Sequence, residues 1–289
     1  MSENTYSAKD DEWTMIIEPQ RSLFDLRLGE LWRYRDLVML FVRRDFVSVY
    51  KQTILGPLWY LIQPLLTTVT FTIIFGNVAK LPTDGLPQFL FYMSGTVVWG
   101  YFADCLNKTS VTFVNNANLF GKVYFPRLAV PVSILISSLI SFLIQFALFL
   151  AFVVYFFLVG APIHFNLLWV AFSPVLMLMM AGLGLGFGII VSSLTTKYRD
   201  LRFLVTFGVQ LLMYATPVIY PVSSIPERYQ WIALANPMTS IVEAFRFAFL
   251  GAGDANPSNL LYSFGFMVVV VIIGSVIFNR VEQTFMDTV

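Results

Sequence analysis

Residues 128–196 contain no Asp, Glu, Lys or Arg. A helix needs about 20 apolar residues to cross a bilayer, so this run holds two crossings, divided at the Gly160-Ala161-Pro162 turn. The rest of the chain agrees. A soluble domain carries about 25% charged residues; here 12% are charged and 57% are hydrophobic. Lipid offers no partner to open backbone groups, which leaves helices or a closed barrel, and no ten-residue alternation marks barrel strands. The expectation is an all-α integral membrane protein with six spans, at about 57–79, 88–112, 128–158, 167–193, 203–221 and 259–279. Prolines 64, 131, 174 and 217 fall inside or near span ends and predict kinks.

Lysine and arginine set the orientation. Of the 18 in the chain, only Lys80, Arg228 and Arg246 fall on the side opposite the N-terminus. Eight lie up to Lys51, and others cluster at 108–127, at 197–202 and at Arg280. Both termini are therefore expected in the cytoplasm, with the protein a multi-pass component of the cell (inner) membrane. The first thirty residues lack the apolar core of a secretory signal, so no cleavage is expected. Cys105 is the single cysteine, which excludes an intrachain disulfide. His164 is the single histidine, in a short hydrophilic turn, and reads as a solvated loop residue, since metal sites need several ligands. No metal site is expected.

The stretch from Arg35 to Pro64, RDLVMLFVRRDFVSVYKQTILGPLWYLIQP, begins as a basic amphipathic helix and runs through Gly56-Pro57 into the first span. Tyr34, Val38, Phe41, Val42 and Val49 share one face; Arg33, Asp36, Arg43, Arg44 and Lys51 supply the other. Such a helix is expected in the headgroup plane, apolar side down. Two readings stand: a topology anchor, or a lever that carries a push from a cytoplasmic partner into the bilayer. Arg43-Arg44-Asp45, Tyr50-Lys51-Gln52-Thr53, Leu55-Gly56, Trp59 and Pro64 resemble the start of the permease subunits of type 2 ABC exporters for polysaccharides, the family that exports O-antigen or teichoic-acid chains. Three later blocks agree in order: NANLFGKVYFPR at 116–127, YRDLRFLVTFGVQLLMYATPVIYP at 198–221 and NPMTSIVEAFRFAFLG at 236–251. The resemblance covers nearly the whole chain. Ser48-Val49 departs from it where a more basic pair is expected before the tyrosine.

The resemblance implies a homodimer working with two copies of a separate nucleotide-binding ATPase. The substrate would be a lipid-linked polysaccharide, moved from the cytoplasmic to the outer face, with membrane lipids but no nucleic acid as further partners. ATP and Mg would reside in the partner, with no cofactor in this chain. The ATPase contacts it implies are Arg43, Arg44, Asp45 and Lys51 on the first helix, and Asn118, Lys122, Tyr124 and Arg127 in the second-to-third connection. It also implies short gate helices at 222–258. There WIALA and SIVEAFRFAFLG are each too short to cross and are broken by Asn236-Pro237, so two helices dipping into the outer leaflet are expected. Pro237, Glu243 and Arg246 are the gate candidates, the latter two able to pair on one helical face. In domain terms, 1–25 is a tail, 26–55 the interface helix, 56–279 the six-span domain and 280–289 a second tail.

Catalytic chemistry is missing. There is no Ser-His-Asp set, HExxH or GxxxxGK[ST] loop. GLGLGFG at 182–188 has no following Lys-Ser/Thr, and its alternating glycines suit close helix packing. Of in-membrane charges, Asp104 beside Asn107 and Lys108 is the best candidate, thin support for a proton relay. What remains is a passive conduit. A sugar polymer calls for flat rings and hydroxyls along its path, and Trp59, Tyr60, Tyr92, Trp99, Tyr101, Phe102, Tyr214 and Tyr220 are the channel candidates, although interfacial belts would also place aromatics there. Competing readings are an ABC exporter permease for a small drug or lipid, an ion-coupled transporter, and a membrane transferase, which lacks the cluster it would need.

Overall fold

The computed structural model describes residues 28–51, 54–120, 122, 125–198 and 200–288. The tail 1–25, Tyr124 and Arg199 lie outside the described residues, among which there is no strand. Helices α1 (Leu28–Arg33) and α2 (Arg35–Tyr50) come first. A 3-10 turn (Gly56–Leu58), α3 (Trp59–Phe71) and a π-helical turn (Thr72–Val78) follow. Then come α4 (Gln88–Thr109), two short helices α5 (Thr112–Asn115) and α6 (Ala117–Phe120), and the long α7 (Ala129–Leu158) and α8 (Leu167–Thr195). The chain ends with α9 (Leu201–Ala215), α10 (Glu227–Ala235), α11 (Pro237–Leu250) and α12 (Pro257–Thr288).

Among the described residues, four helical stretches are long and apolar enough to cross a membrane: Gly56–Val78, Ala129–Leu158, Leu167–Thr195 and Pro257–Val281. Helix α4 has 22 residues, about 33 Å at 1.5 Å per residue, so its length suffices. Its composition is more polar, and most of it is buried inside the protein. Helix α9 has 15 residues, about 22 Å, short of a hydrocarbon core of about 30 Å. The expected span 203–221 ends early because Pro217 disfavours helical backbone in the residue before it, and Thr216 is extended (φ −96, ψ 146). Pro64 and Pro174 are accommodated within α3 and α8. Pro131 sits in the first turn of α7, where no intrahelical bond is lost.

Helix α8 is the hub, packed against α4, α12 and α11. Its glycines make this possible on two faces. A Cβ on Gly184 would lie 2.5 Å from Cβ of Cys105, and one on Gly188 would lie 2.6 Å from Cβ of Thr109, both on α4. A Cβ on Gly182 would lie 2.4 Å from Sδ of Met267, and one on Gly186 would lie 2.9 Å from Cγ1 of Val270, both on α12. The alternating motif is thus two interleaved small-xxx-small stripes, one for each neighbour.

Helix α2 packs on α7. Val38, Phe41 and Val42 are buried, and Phe41 lies 5.8 Å from Phe125 in a cluster with Phe113, Phe120 and Phe278. At Val38, Phe41 and Val42 the face expected to rest on lipid is covered by protein, Phe113, Phe120 and Phe125 packing in the same cluster. Trp32, Met39 and Leu40 are exposed on α1 and α2, beside Arg35 and Arg43.

Candidate functional site

Two cavities of about 410 and 440 Å³ share Tyr60, Lys108 and Ser141 in their walls and so form one groove between α2, α3, α4 and α7. The end nearer α2 is lined by Arg44, Asp45, Ser48, Thr112, Asn115, Asn116 and Ser137. The deeper end is lined by Gln63, Thr67, Thr96, Trp99, Tyr101, Asp104, Ser138 and Gln145. These positions follow helical spacing: Gln63 and Thr67 on α3; Thr96, Gly100, Asp104 and Lys108 on α4; Ser137, Ser141 and Gln145 on α7. Each is a stripe of residues four apart, which puts one polar face on an otherwise apolar helix. Where these stripes meet, the groove carries a run of polar side chains within an otherwise hydrophobic bundle.

The charges in the groove are matched locally. Lys108 Nζ donates to Asp104 Oδ2 at 2.6 Å, both half-exposed. Arg44 Nε and Nη2 face Asp45 Oδ1 at 2.9 and 2.8 Å, and the guanidinium lies 5.0 Å from the Phe41 ring centroid. Among the described residues no three His, Cys, Asp or Glu side chains converge, so the groove works with ion pairs, hydroxyls, amides and rings. Thr112 Oγ1 and Ser137 Oγ are buried without a hydrogen-bond partner.

At the α10–α11 end of the molecule lies a second polar feature. Asn236 caps α11 by accepting from Met238 N at 3.0 Å, Pro237 takes the first helical position, and Gly251 ends the helix at φ 78. Asn236 Nδ2 also donates to Thr216 Oγ1 at 2.7 Å, tying the break between α10 and α11 to the end of α9. Deeper in α11, Arg246 is 1% exposed. Its guanidinium donates to Glu243 Oε1 (3.2 Å), Val218 O (2.7 Å), Ser94 Oγ (3.3 Å) and Pro217 O, and lies 3.8 Å from the Phe91 ring centroid. Glu243 Oε2 accepts from Asp254 N at 3.3 Å. Where α9 stops, its chain leaves carbonyls that no helix uses, and one buried cation gathers them onto α4 and α11.

The sequence-expected residues distribute unevenly. Tyr60, Trp99 and Tyr101 line the groove. Tyr92 and Phe102 are buried in the core and are not among its lining residues. Trp59 and Tyr214 are exposed on the outside of the bundle, and Tyr220 is half-buried with its hydroxyl donating to Tyr214 O at 3.0 Å. Arg44 and Asp45 line the groove, whereas Arg43, Lys51, Asn118 and Lys122 are exposed. Arg127 is buried with its guanidinium 5.5 Å from the Phe120 ring centroid. Pro237 opens α11, and Glu243 and Arg246 pair further along it; all three are buried. His164 is an exposed loop residue whose backbone N–H donates to Leu250 O at 3.3 Å. Gln63, Thr67, Thr96, Ser137, Ser141 and Gln145 are groove residues that the sequence reading passed over; their four-residue spacing inside apolar helices was the available signal.

Residues 36–250 match the family described as ABC-2 type transporter. The chain is 30% identical over 254 residues to an O-antigen export system permease protein, RfbA, of Klebsiella pneumoniae, covering 87% of this chain and 94% of the relative. A protein of the same name from Myxococcus xanthus is 26% identical over 90% of this chain and 98% of its own length. The inner membrane transport permease YadH of Escherichia coli K12 is 23% identical over 78% of this chain and 86% of its own length.

Proposed function

The chain belongs to the ABC-2 type transporter family, and on that premise we propose that it is the membrane-spanning subunit of an ATP-driven exporter for a lipid-linked polysaccharide, O-antigen-like or teichoic-acid-like. In this reading α4, and α9 together with the segment 216–221 that follows it, complete a set of six spans, both termini face the cytoplasm, and a separate ATPase supplies the work. Two copies of the chain assemble with two of the ATPase. The apolar faces of α3 and the π-helical turn after it (Leu66, Val69, Ile73) and of α9 (Phe203, Phe207, Leu211), exposed in one copy, are available to a second copy and to lipid. Arg43, Lys51, Asn118 and Lys122 lie exposed where an ATPase would press. Helices α10 and α11 form the outer gate, with Pro237, Glu243 and Arg246 holding it to α4 and α9.

The observation that carries the reading is the groove. It carries polar side chains at both ends among apolar ones, its charges are paired, and it presents Tyr60, Trp99 and Tyr101 beside hydroxyls and amides. Hydroxyls both donate and accept, so a sugar chain exchanges one partner for the next as it advances. Rings offer flat apolar faces to pyranose rings. Unpaired charges would instead make deep wells in a low-dielectric setting and stall a long polymer. The names of the Klebsiella and Myxococcus relatives point to the same cargo.

Deleting the gene in its own cell and quantifying surface polysaccharide tests this. Loss of surface glycan, with lipid-linked glycan accumulating inside, is expected. The wild-type gene restores display, and a Ser141→Leu, Gln145→Leu double variant does not. Unchanged surface glycan in the deletion strain, together with new sensitivity to small amphiphiles, would instead indicate an exporter of drugs or lipids.

A further inference from the structure

We propose that Ser192 and Thr195 are positioning residues: they fasten the corner between α4 and α5 to α8, and so make α8 the rod that carries movement from residues 117–122 to α11. Helix α4 stops at Thr109 and α5 starts at Thr112, so the corner holds backbone groups that neither helix uses. Phe113 N donates to Ser192 Oγ at 3.2 Å. Thr195 Oγ1 lies 3.1 Å from Ser110 O and 2.9 Å from Ser192 O, and shares its one hydroxyl proton between them. All four residues are buried. Buried backbone groups need partners, and a local hydroxyl is at hand, since Thr112 Oγ1 sits in the corner itself, buried and without a hydrogen bond. The corner takes its partners from α8 instead.

The α8 residues form a stripe. Gly188, Ser192 and Thr195 are spaced four and three apart and share one helix face. Gly188 lets that face approach, because a Cβ there would lie 2.6 Å from Cβ of Thr109 and 3.1 Å from Leu106 O. Phe113 also stacks on Phe278 of α12, with ring centroids 4.6 Å apart, so the corner is held from two sides. The opposite end of α8 is tied to α11. Asn166, the residue that caps α8, donates its backbone N–H to Ala248 O at 3.1 Å. One turn on, the Trp169 ring meets Phe247 edge to face at 6.1 Å. Between these ties run 29 helical residues, about 43 Å at 1.5 Å per residue. A displaced corner therefore reaches α11 through one helix. The role rests on the reading of 117–122, with its exposed Asn118 and Lys122, as the place where an ATPase presses.

The test uses proteoliposomes holding the full chain, its ATPase and a lipid-linked glycan, with ATP turnover and glycan moved both measured. Ser192→Ala and Thr195→Val should each keep ATP turnover while lowering glycan moved per ATP about two- to tenfold, the range for one lost hydrogen bond. Thr195→Ser keeps the hydroxyl and should hold the wild-type ratio. Circular dichroism and thermal unfolding establish that the variants fold. A second arm needs no glycan: hydrogen exchange of 110–116 and of 245–250 is compared before and after ATP is added. In wild type both segments should change together, and in Thr195→Val only the first. Folded Ala and Val variants with the wild-type ratio, or with turnover and transport reduced in equal proportion, would overturn the proposal and leave the export reading standing. A wild-type assembly that moves no glycan, yet shows the joint change in exchange that Thr195→Val loses, would overturn the export reading and leave the rod standing.

Discussion

Replacing Arg246 by methionine should destabilise the protein more than replacing Arg246 and Glu243 together. Methionine fills much of the arginine's volume, so the loss is mainly electrostatic and hydrogen-bonding. In wild type the two side chains are 1% and 6% exposed, and the guanidinium serves Glu243, Ser94 and the carbonyls of Pro217 and Val218. Arg246→Met leaves the carboxylate of Glu243 buried with only the Asp254 N–H against it, and orphans two carbonyls. Removing one partner of a buried pair costs about 3–5 kcal/mol. At about 2–4 °C per kcal/mol for chains of this order of size, the melting temperature should fall by roughly 10 °C. Glu243→Gln with Arg246→Met removes the stranded charge and should recover part of that fall. Arg246→Lys keeps the charge but not the planar fork, and should lie between wild type and Arg246→Met. The assay is thermal unfolding of the purified full chain in lipid nanodiscs, followed by tryptophan fluorescence. A single Arg246→Met variant at least as stable as the double variant would refute the clamp.

Gly184→Leu should lower the melting temperature and the yield, since the first added carbon already meets Cβ of Cys105 at 2.5 Å, and overpacking costs about 1–3 kcal/mol. Gly208→Ala is the matched control: no atom lies within 4 Å of the new Cβ, and alanine in a helix is favoured by about 0.5–1 kcal/mol, so the same unfolding assay should register no loss. Asn236→Ala removes both the α11 cap and the bond to Thr216, and should cost about 1–2 kcal/mol in thermal unfolding. Lys122→Ala should leave ATPase activity of the assembled transporter in place while lowering the glycan moved per ATP, measured in proteoliposomes.

Much of the helical layout could be read from local pattern. The charge-free run at 128–196 fixes α7 and α8, because length and apolarity are properties of the segment itself. The Asn236-Pro237 break between α10 and α11 appears where cap and proline chemistry put it. The spacing of Gly182 to Gly188 foretold close packing, although not that alternate glycines serve different neighbours. The features that escaped notice depend on partners remote in sequence. Glu243 and Arg246 are visible as a pair three residues apart, but Ser94, Pro217 and Val218 complete the clamp only through the fold. The apolar face of α2 is evident from periodicity; that Phe113, Phe120 and Phe125 pack against Val38 and Phe41 is not. The groove was obscured for another reason. Gln63, Thr96, Ser141 and Gln145 are diluted in helices whose average composition is apolar, and only their mutual alignment gives them meaning.

The proposed function rests on one claim: this subunit offers a groove with polar side chains within an apolar bundle, and a separate ATPase supplies the work. Proteoliposomes holding the purified chain alone, or the chain with its nucleotide-hydrolysing partner, are loaded with fluorescent lipid-linked glycan, and the fraction crossing the bilayer is followed on adding ATP. Crossing only with partner, ATP and Mg together is the predicted result. Sustained crossing by the chain alone, driven by an ion gradient, would contradict it.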